Sequence, residues 1–174
     1  MGRMVAIGDR VPQVDPGAWL APGSTVSGAV TVGPGSSIWY GASVRGDGER
    51  ISIGAGSNVQ DNASVHADPG FPAAIGDRVS VGHNAVVHGA TVEEGCIVGM
   101  GAVLLNGSVV GAGSLVAAGA VVLEGTVLPP GSLVAGAPAT VRRPLTDKER
   151  ARMLEGIDRY QEAMRAHRDA VGEG

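Results

Sequence analysis

The chain has 174 residues, a formal charge of -4 and a pI near 5.5, a size that suits one compact domain. Glycine contributes 29 residues and valine 25, but Phe, Trp and Tyr together only five, so a core filled by large rings is excluded and stacked small aliphatics must replace it. Residues 80–140 contain neither Lys nor Arg, which argues against a nucleic-acid partner.

At the N-terminus, Met1-Gly2-Arg3-Met4-Val5 has neither a long apolar run nor a cleavage site, and no later stretch approaches the ~18 apolar residues of a spanning helix. A cytoplasmic protein with no membrane partner is expected. From Val26 an aliphatic recurs every six residues at Val32, Ile38 and Val44, and after a break at Ile53, Val59 and Val65. From Gly89 to Gly131 glycine itself recurs at an unbroken interval of six, each followed three residues later by an aliphatic. A period of six fits neither a helix nor a heptad, but it fits a short strand and a turn whose glycine takes positive φ. Three such sides make a triangular coil, and coils stacked ~4.8 Å apart bury the aliphatic rows together. The expected fold is an all-β solenoid, a parallel β-helix over residues 11–140 with roughly seven coils.

Within it, Trp39 and Tyr40 are expected at an edge or subunit interface, and Cys96, followed by Ile97 and Val98, as a buried structural thiol. After Pro144, Thr146 and Glu149 read as a capping box. The helix they open, expected over 146–170, carries Met153, Ile157, Tyr160, Met164 and His167 at helical spacing. That stripe should pack on the β-helix or on a neighbouring subunit.

The repeat breaks twice: Val44 to Ile53 is nine residues, and Val65 to Val86 is 21, with Asp68-Pro69-Gly70-Phe71-Pro72 reading as an extruded loop. His66, His83 and His88 flank that loop. Register arithmetic stacks Arg45, His66 and His88 on one edge of the triangle. His83 lies five residues before His88, in the slot that glycine fills later, and should face a different edge. Zinc and its relatives accept three neutral imidazoles plus a water, an open catalytic coordination. One chain cannot bring these three together, but a cyclic trimer can, by setting the His66 and His88 edge of one copy against the His83 edge of the next.

Three segments carry a resemblance: Val44-Arg45-Gly46-Asp47; Asn58-Val59-Gln60-Asp61-Asn62 ahead of His66; and Val81-Gly82-His83-Asn84-Ala85-Val86-Val87-His88-Gly89. They closely resemble the γ-class carbonic anhydrase-like proteins, over roughly Pro12 through the C-terminal helix. The resemblance implies a left-handed β-helix and a homotrimer with a divalent metal, Zn or else Fe(II) or Co, at each subunit interface. It also implies reversible hydration of CO2 to bicarbonate by metal-bound hydroxide. On this likeness His66, His83 and His88 match the metal ligands, and Arg45 and Asp47 the interface ion pair. Gln60 matches the amide that positions the metal-bound solvent, and Asp61 its acidic neighbour. The family's long acidic loop for proton export is not matched, since only 16 residues separate His66 from His83 and the loop holds Asp68 but no Glu. Because hexapeptide repeats also build acyltransferases, an acyltransferase or thioesterase acting on acyl-CoA is the alternative, beside a non-catalytic metal-binding trimer. The centre without Lys or Arg counts against a CoA phosphate site.

Overall fold

The computed structural model describes residues 2–172, which form a left-handed parallel β-helix of about seven turns followed by one α-helix. Each face of the triangle is a ladder of short parallel strands whose inward residues stack in column. On the first face Val26, Val44, Val65, Val87, Leu104 and Val122 are successive register partners. The second face aligns Val32, Ile53, Ile75, Val92, Val110 and Leu128. The third aligns Leu20, Ile38, Val59, Val81, Val98, Val116 and Val134. All of these side chains are buried. At about 1.5–3 kcal/mol for each fully buried aliphatic, the three columns are the main source of stability.

Local differences from the sequence pattern have simple causes. The inward residue after Val65 is Val87, not Val86, because the loop adds four residues to that coil and the following coil gives one back. The same shift moves the left-handed corner position from His83 to Asn84, with φ +57°, matching Asn62 at +57° and Gly101 at +66°. Arg3–Val5 adds a rung beside Thr25–Ser27, ahead of the expected start at residue 11. At the other end Ala139–Pro144 turns back antiparallel on Ser132–Gly136 and covers an edge that would otherwise stay open. Cys96 is fully buried, its Sγ 3.2 Å from the Gly111 carbonyl oxygen, and burial pushes the thiol up to about 11, as befits an inert structural group.

The α-helix spans Asp147–Val171 and opens on the expected capping box, in which Thr146 Oγ1 accepts from Glu149 N while the Glu149 carboxylate accepts from Thr146 N. Arg143 pairs with that carboxylate at 2.7 Å and, with the cap, holds it well below the usual range. Met153, Ile157 and Met164 are buried. Gln161 Nε2 donates to the carbonyl oxygens of Gly35 and Gly56, and Trp39 meets both Trp19 and Tyr160 edge-on at 5.3 Å. Trp39 and Tyr40 therefore sit at an edge of the triangle, under the helix. Among the described residues no helix is long and apolar enough to cross a membrane.

The corner assignment is testable at Gly101, where a Cβ would meet open space. Gly101→Asn should lower the unfolding free energy in urea by under about 1 kcal/mol, and Gly101→Val by about 1–3 kcal/mol, because Asn tolerates the left-handed region and β-branched residues do not.

Candidate metal centre

Corner positions one residue past the inward column line up across coils, and at the first corner these are Arg45, His66 and His88. The two imidazoles meet with centroids 4.9 Å apart. Asp47 comes from the three-residue widening of the coil after Arg45. Its carboxylate accepts from Arg45 Nη1 at 2.6 Å and from His66 Nε2 at 3.0 Å. The guanidinium, with help from His66, draws Asp47 down to about 2. Arg10 adds a guanidinium bond to the Asp47 carbonyl oxygen. One coil beyond His88, Asn106 Oδ1 lies 2.9 Å from His88 Nδ1, while Asn106 Nδ2 donates to Asp68 Oδ2 at 3.2 Å. Gly89 makes this approach possible, since a Cβ there would collide with Asn106 Oδ1.

These partners fix the protons on both rings. An ionised carboxylate only accepts, so His66 Nε2 must donate to Asp47. The Asn106 amide is oriented by its bond to Asp68, so its oxygen faces His88 and Nδ1 of His88 must donate. The remaining nitrogens, Nδ1 of His66 and Nε2 of His88, lie 2.9 Å apart, so either a proton shared between them or a metal cation must fill the space between two acceptors. Two facing lone pairs repel unless a cation sits between or before them. His66, Asp68 and His88 each bring one ligand atom within 4.8 Å of the others.

His83 stands at a different corner, stacked one coil beyond Asp61. Its Nδ1 lies 2.9 Å from the Asp61 carboxylate, and its Nε2 lies 3.2 Å from Tyr160 Oη, which reaches down from the helix. Partial burial, and more weakly Asp61, push the Tyr160 phenol up, so it stays a donor at neutral pH. Gln60 is buried beside this corner, its Nε2 donating to Asn58 Oδ1, and Asn58 Nδ2 donates in turn to Ser80 Oγ. A cleft of about 250 Å³ lies here between Gln60, Ser80, Ile97 and the helix residues Arg159 and Tyr160. Within one chain the structure thus brings His66, His88, Arg45 and Asp47 together and groups His83, Asp61 and Gln60 separately.

A model of the hexapeptide repeat of succinyl-transferase matches residues 72–106. The chain is 52% identical over 165 residues to gamma carbonic anhydrase 3, mitochondrial, of Arabidopsis thaliana, covering 91% of this chain and 64% of that protein. It spans about three fifths of the length of the Arabidopsis relatives it matches. With the probable carbonic anhydrase of Methanocaldococcus jannaschii it shares 52% identity over 141 residues, 81% of this chain and 89% of the relative. The chain belongs to the γ-class carbonic anhydrase-like family. Among solved structures, a hexapeptide transferase family protein from Anaplasma phagocytophilum superimposes with a TM-score of 0.90 at 34% identity, covering 94% of this chain and 96% of that one.

Membership of the γ-carbonic anhydrase-like family implies a metal cofactor, and the fixed, facing nitrogens of His66 and His88 suit one. Asn106, Asp68 and Tyr160 are the residues at these corners that sequence reasoning did not select. Asn106 follows His88 by 18 residues, but that coil is one residue short, so Leu105 is the register counterpart of His88 and Asn106 lies one position further on. Tyr160 was hidden in an apolar stripe that it only partly serves. Its bond to His83 predicts that a double-mutant cycle of Tyr160→Phe and His83→Ala, read by urea unfolding, gives a coupling of about 0.5–1.5 kcal/mol.

Proposed function

We propose that the chain is a γ-carbonic anhydrase interconverting CO2 and bicarbonate at a divalent metal shared between subunits of a homotrimer. The observation that supports this reading is common to three imidazoles: each has one nitrogen engaged by an acceptor in its own corner, which sets the ring so that the other nitrogen can be given to a cation. His66 gives to Asp47, His83 to Asp61 and His88 to Asn106. Such partners set the tautomer and orientation of metal-ligating histidines. His66 and His88 of one copy with His83 of a neighbouring copy form the donor set, which Zn, Fe(II) or Co can occupy. When bound, the metal supplies Lewis acidity that lowers the pKa of water toward ~7.

The chain's own residues then orient and exclude. Arg45 keeps Asp47 ionised and so keeps the His66 proton on Nε2. Gln60, held through its Nε2 by Asn58, has Oε1 to accept a hydrogen bond from solvent at the reaction centre. In the single chain Tyr160 Oη occupies the free nitrogen of His83, and docking of a neighbour exchanges that bond for the metal. The loop after His66 carries no glutamate, and the Glu49 carboxylate is tied back to the backbone N of Arg50. Proton export is therefore left to soluble buffer, and CO2 hydration should be slow and strongly buffer-dependent. Acyl transfer is the second reading, favoured by the fold shared with the Anaplasma hexapeptide transferase family protein. The lack of Lys and Arg over 80–140 weighs against it.

Complementation tests the shared site. His66→Ala and His83→Ala chains, unfolded separately and refolded together, should form mixed trimers in which one junction has all three native histidines. Mixed trimers should gain about one full-affinity metal site and its CO2 hydration over either parent, in which every junction lacks a histidine. Mixed trimers that bind no more metal than the parents would show that the donors do not come from two copies. Turnover of an acyl-CoA with no CO2 hydration in metal-loaded protein would favour the second reading.

A further inference from the structure

We infer that Asp68 is itself a metal ligand and sets the coordination number, so that one chain offers His66, His88 and Asp68 before a neighbouring copy adds His83. The inference rests on the metal centre proposed above. Asp68 Oδ1 lies 3.8 Å from His66 Nδ1 and 3.8 Å from His88 Nε2, the two nitrogens that face each other and are not engaged by Asp47 or Asn106. That is too long for a hydrogen bond. It is the separation of donors that share a cation, since ligand atoms held about 2.0–2.2 Å from one metal stand about 3–4 Å from each other.

The aim of the carboxylate is built into the corner. Its Oδ2 accepts from Asn106 Nδ2, the amide that also fixes the His88 ring, so one side chain aligns two of the three donors. The Asp68 backbone is bridged to Phe71, whose N donates to the Asp68 carbonyl oxygen at 2.9 Å across a turn with Gly70 at φ +84°. Gly48 lets this loop lie close, because a Cβ there would collide with the Ala67 carbonyl oxygen. A turn aspartate serving only its own loop would bond the backbone N–H groups that follow it. Here both carboxylate oxygens point back to the histidine corner.

The consequence is metal choice. Three imidazoles and a carboxylate complete a tetrahedral zinc site and leave no position for water, the pattern of structural zinc. A metal that accepts five or six donors, such as Co(II) or Fe(II), keeps a position open with the same four side chains. Asp68 thus directs the site toward metals of higher coordination number.

The test is a titration of metal-free trimer with Co(II), followed by calorimetry and by the visible absorption bands, which strengthen as coordination falls from six to four. Wild type should take up one Co(II) per chain with weak bands. Asp68→Ala, and Asp68→Asn, which keeps an acceptor for Asn106, should bind about tenfold weaker or worse and show stronger bands. Asp68→Glu should recover part of the affinity, and unfolding midpoints of the metal-free proteins establish that each variant is folded. Wild-type affinity and bands in both Asp68→Ala and Asp68→Asn would overturn the inference while the histidine centre stands. Failure of wild type to bind Co(II), or undiminished binding by His66→Ala, would overturn both.

Discussion

Parallel strands about 4.8 Å apart force each corner residue of one coil against its counterpart in the next. In this chain that constraint turns residues 22 positions apart in sequence, His66 and His88, into neighbours in space. The inward valines must stay in column or lose their burial, so insertions cannot slip the register and are pushed out where they occur. Successive first-face coils from Val44 through Val65 and Val87 to Leu104 take 21, 22 and 17 residues, yet the columns remain continuous. The widenings fall at one corner, which places Asp47 and Asp68 on either side of His66.

The ladder made much of this legible in advance. A six-residue period names the architecture, and corner counting put Arg45, His66 and His88 together and His83 apart. It slipped by one at Val86 because a strand period cannot tell a three-residue insertion from a four-residue one followed by a shortened coil. Nor does a period report what lies at right angles to it. The Tyr160 bond to His83 joins residues 77 apart through the docking of a helix, and the hairpin at Ala139–Pro144 depends on a reversal that hexapeptide counting does not contain. Asp68 read as a turn residue because the loop composition is that of any turn; its direction is decided by Asn106, one coil further on.

Orientation, rather than stability, is what the corner charges contribute. Arg45 and Asp47 are both well exposed, at 50% and 37%, and an exposed pair adds little to folding. The pair instead keeps Asp47 an acceptor, and an acceptor at Nε2 commits His66 to present Nδ1. His83 and Asp61 repeat the arrangement at a second corner, and His88 with Asn106 does so with a neutral amide. Three different acceptors with the same effect on three rings are hard to explain as scattered surface polarity, because each turns its ring's second nitrogen toward another histidine or a phenol.

Donors divided between copies, as proposed, would make metal affinity and assembly parts of one equilibrium. A metal that binds only at a completed interface favours the assembled state by RT ln(1 + [M]/Kd), and assembly tightens metal binding by the same factor. In the separate chain the Tyr160 phenol already satisfies His83, so forming the proposed interface would exchange one partner of Nε2 for another instead of exposing a bare nitrogen. A carboxylate on the same chain as His66 and His88 changes the coupling. With three donors in one copy, a good part of the metal's binding free energy is available without a neighbour, and His83 then adds an increment instead of creating the site. Loss of the trimer and loss of the metal become separable events, in proportion to how much of the coordination Asp68 supplies.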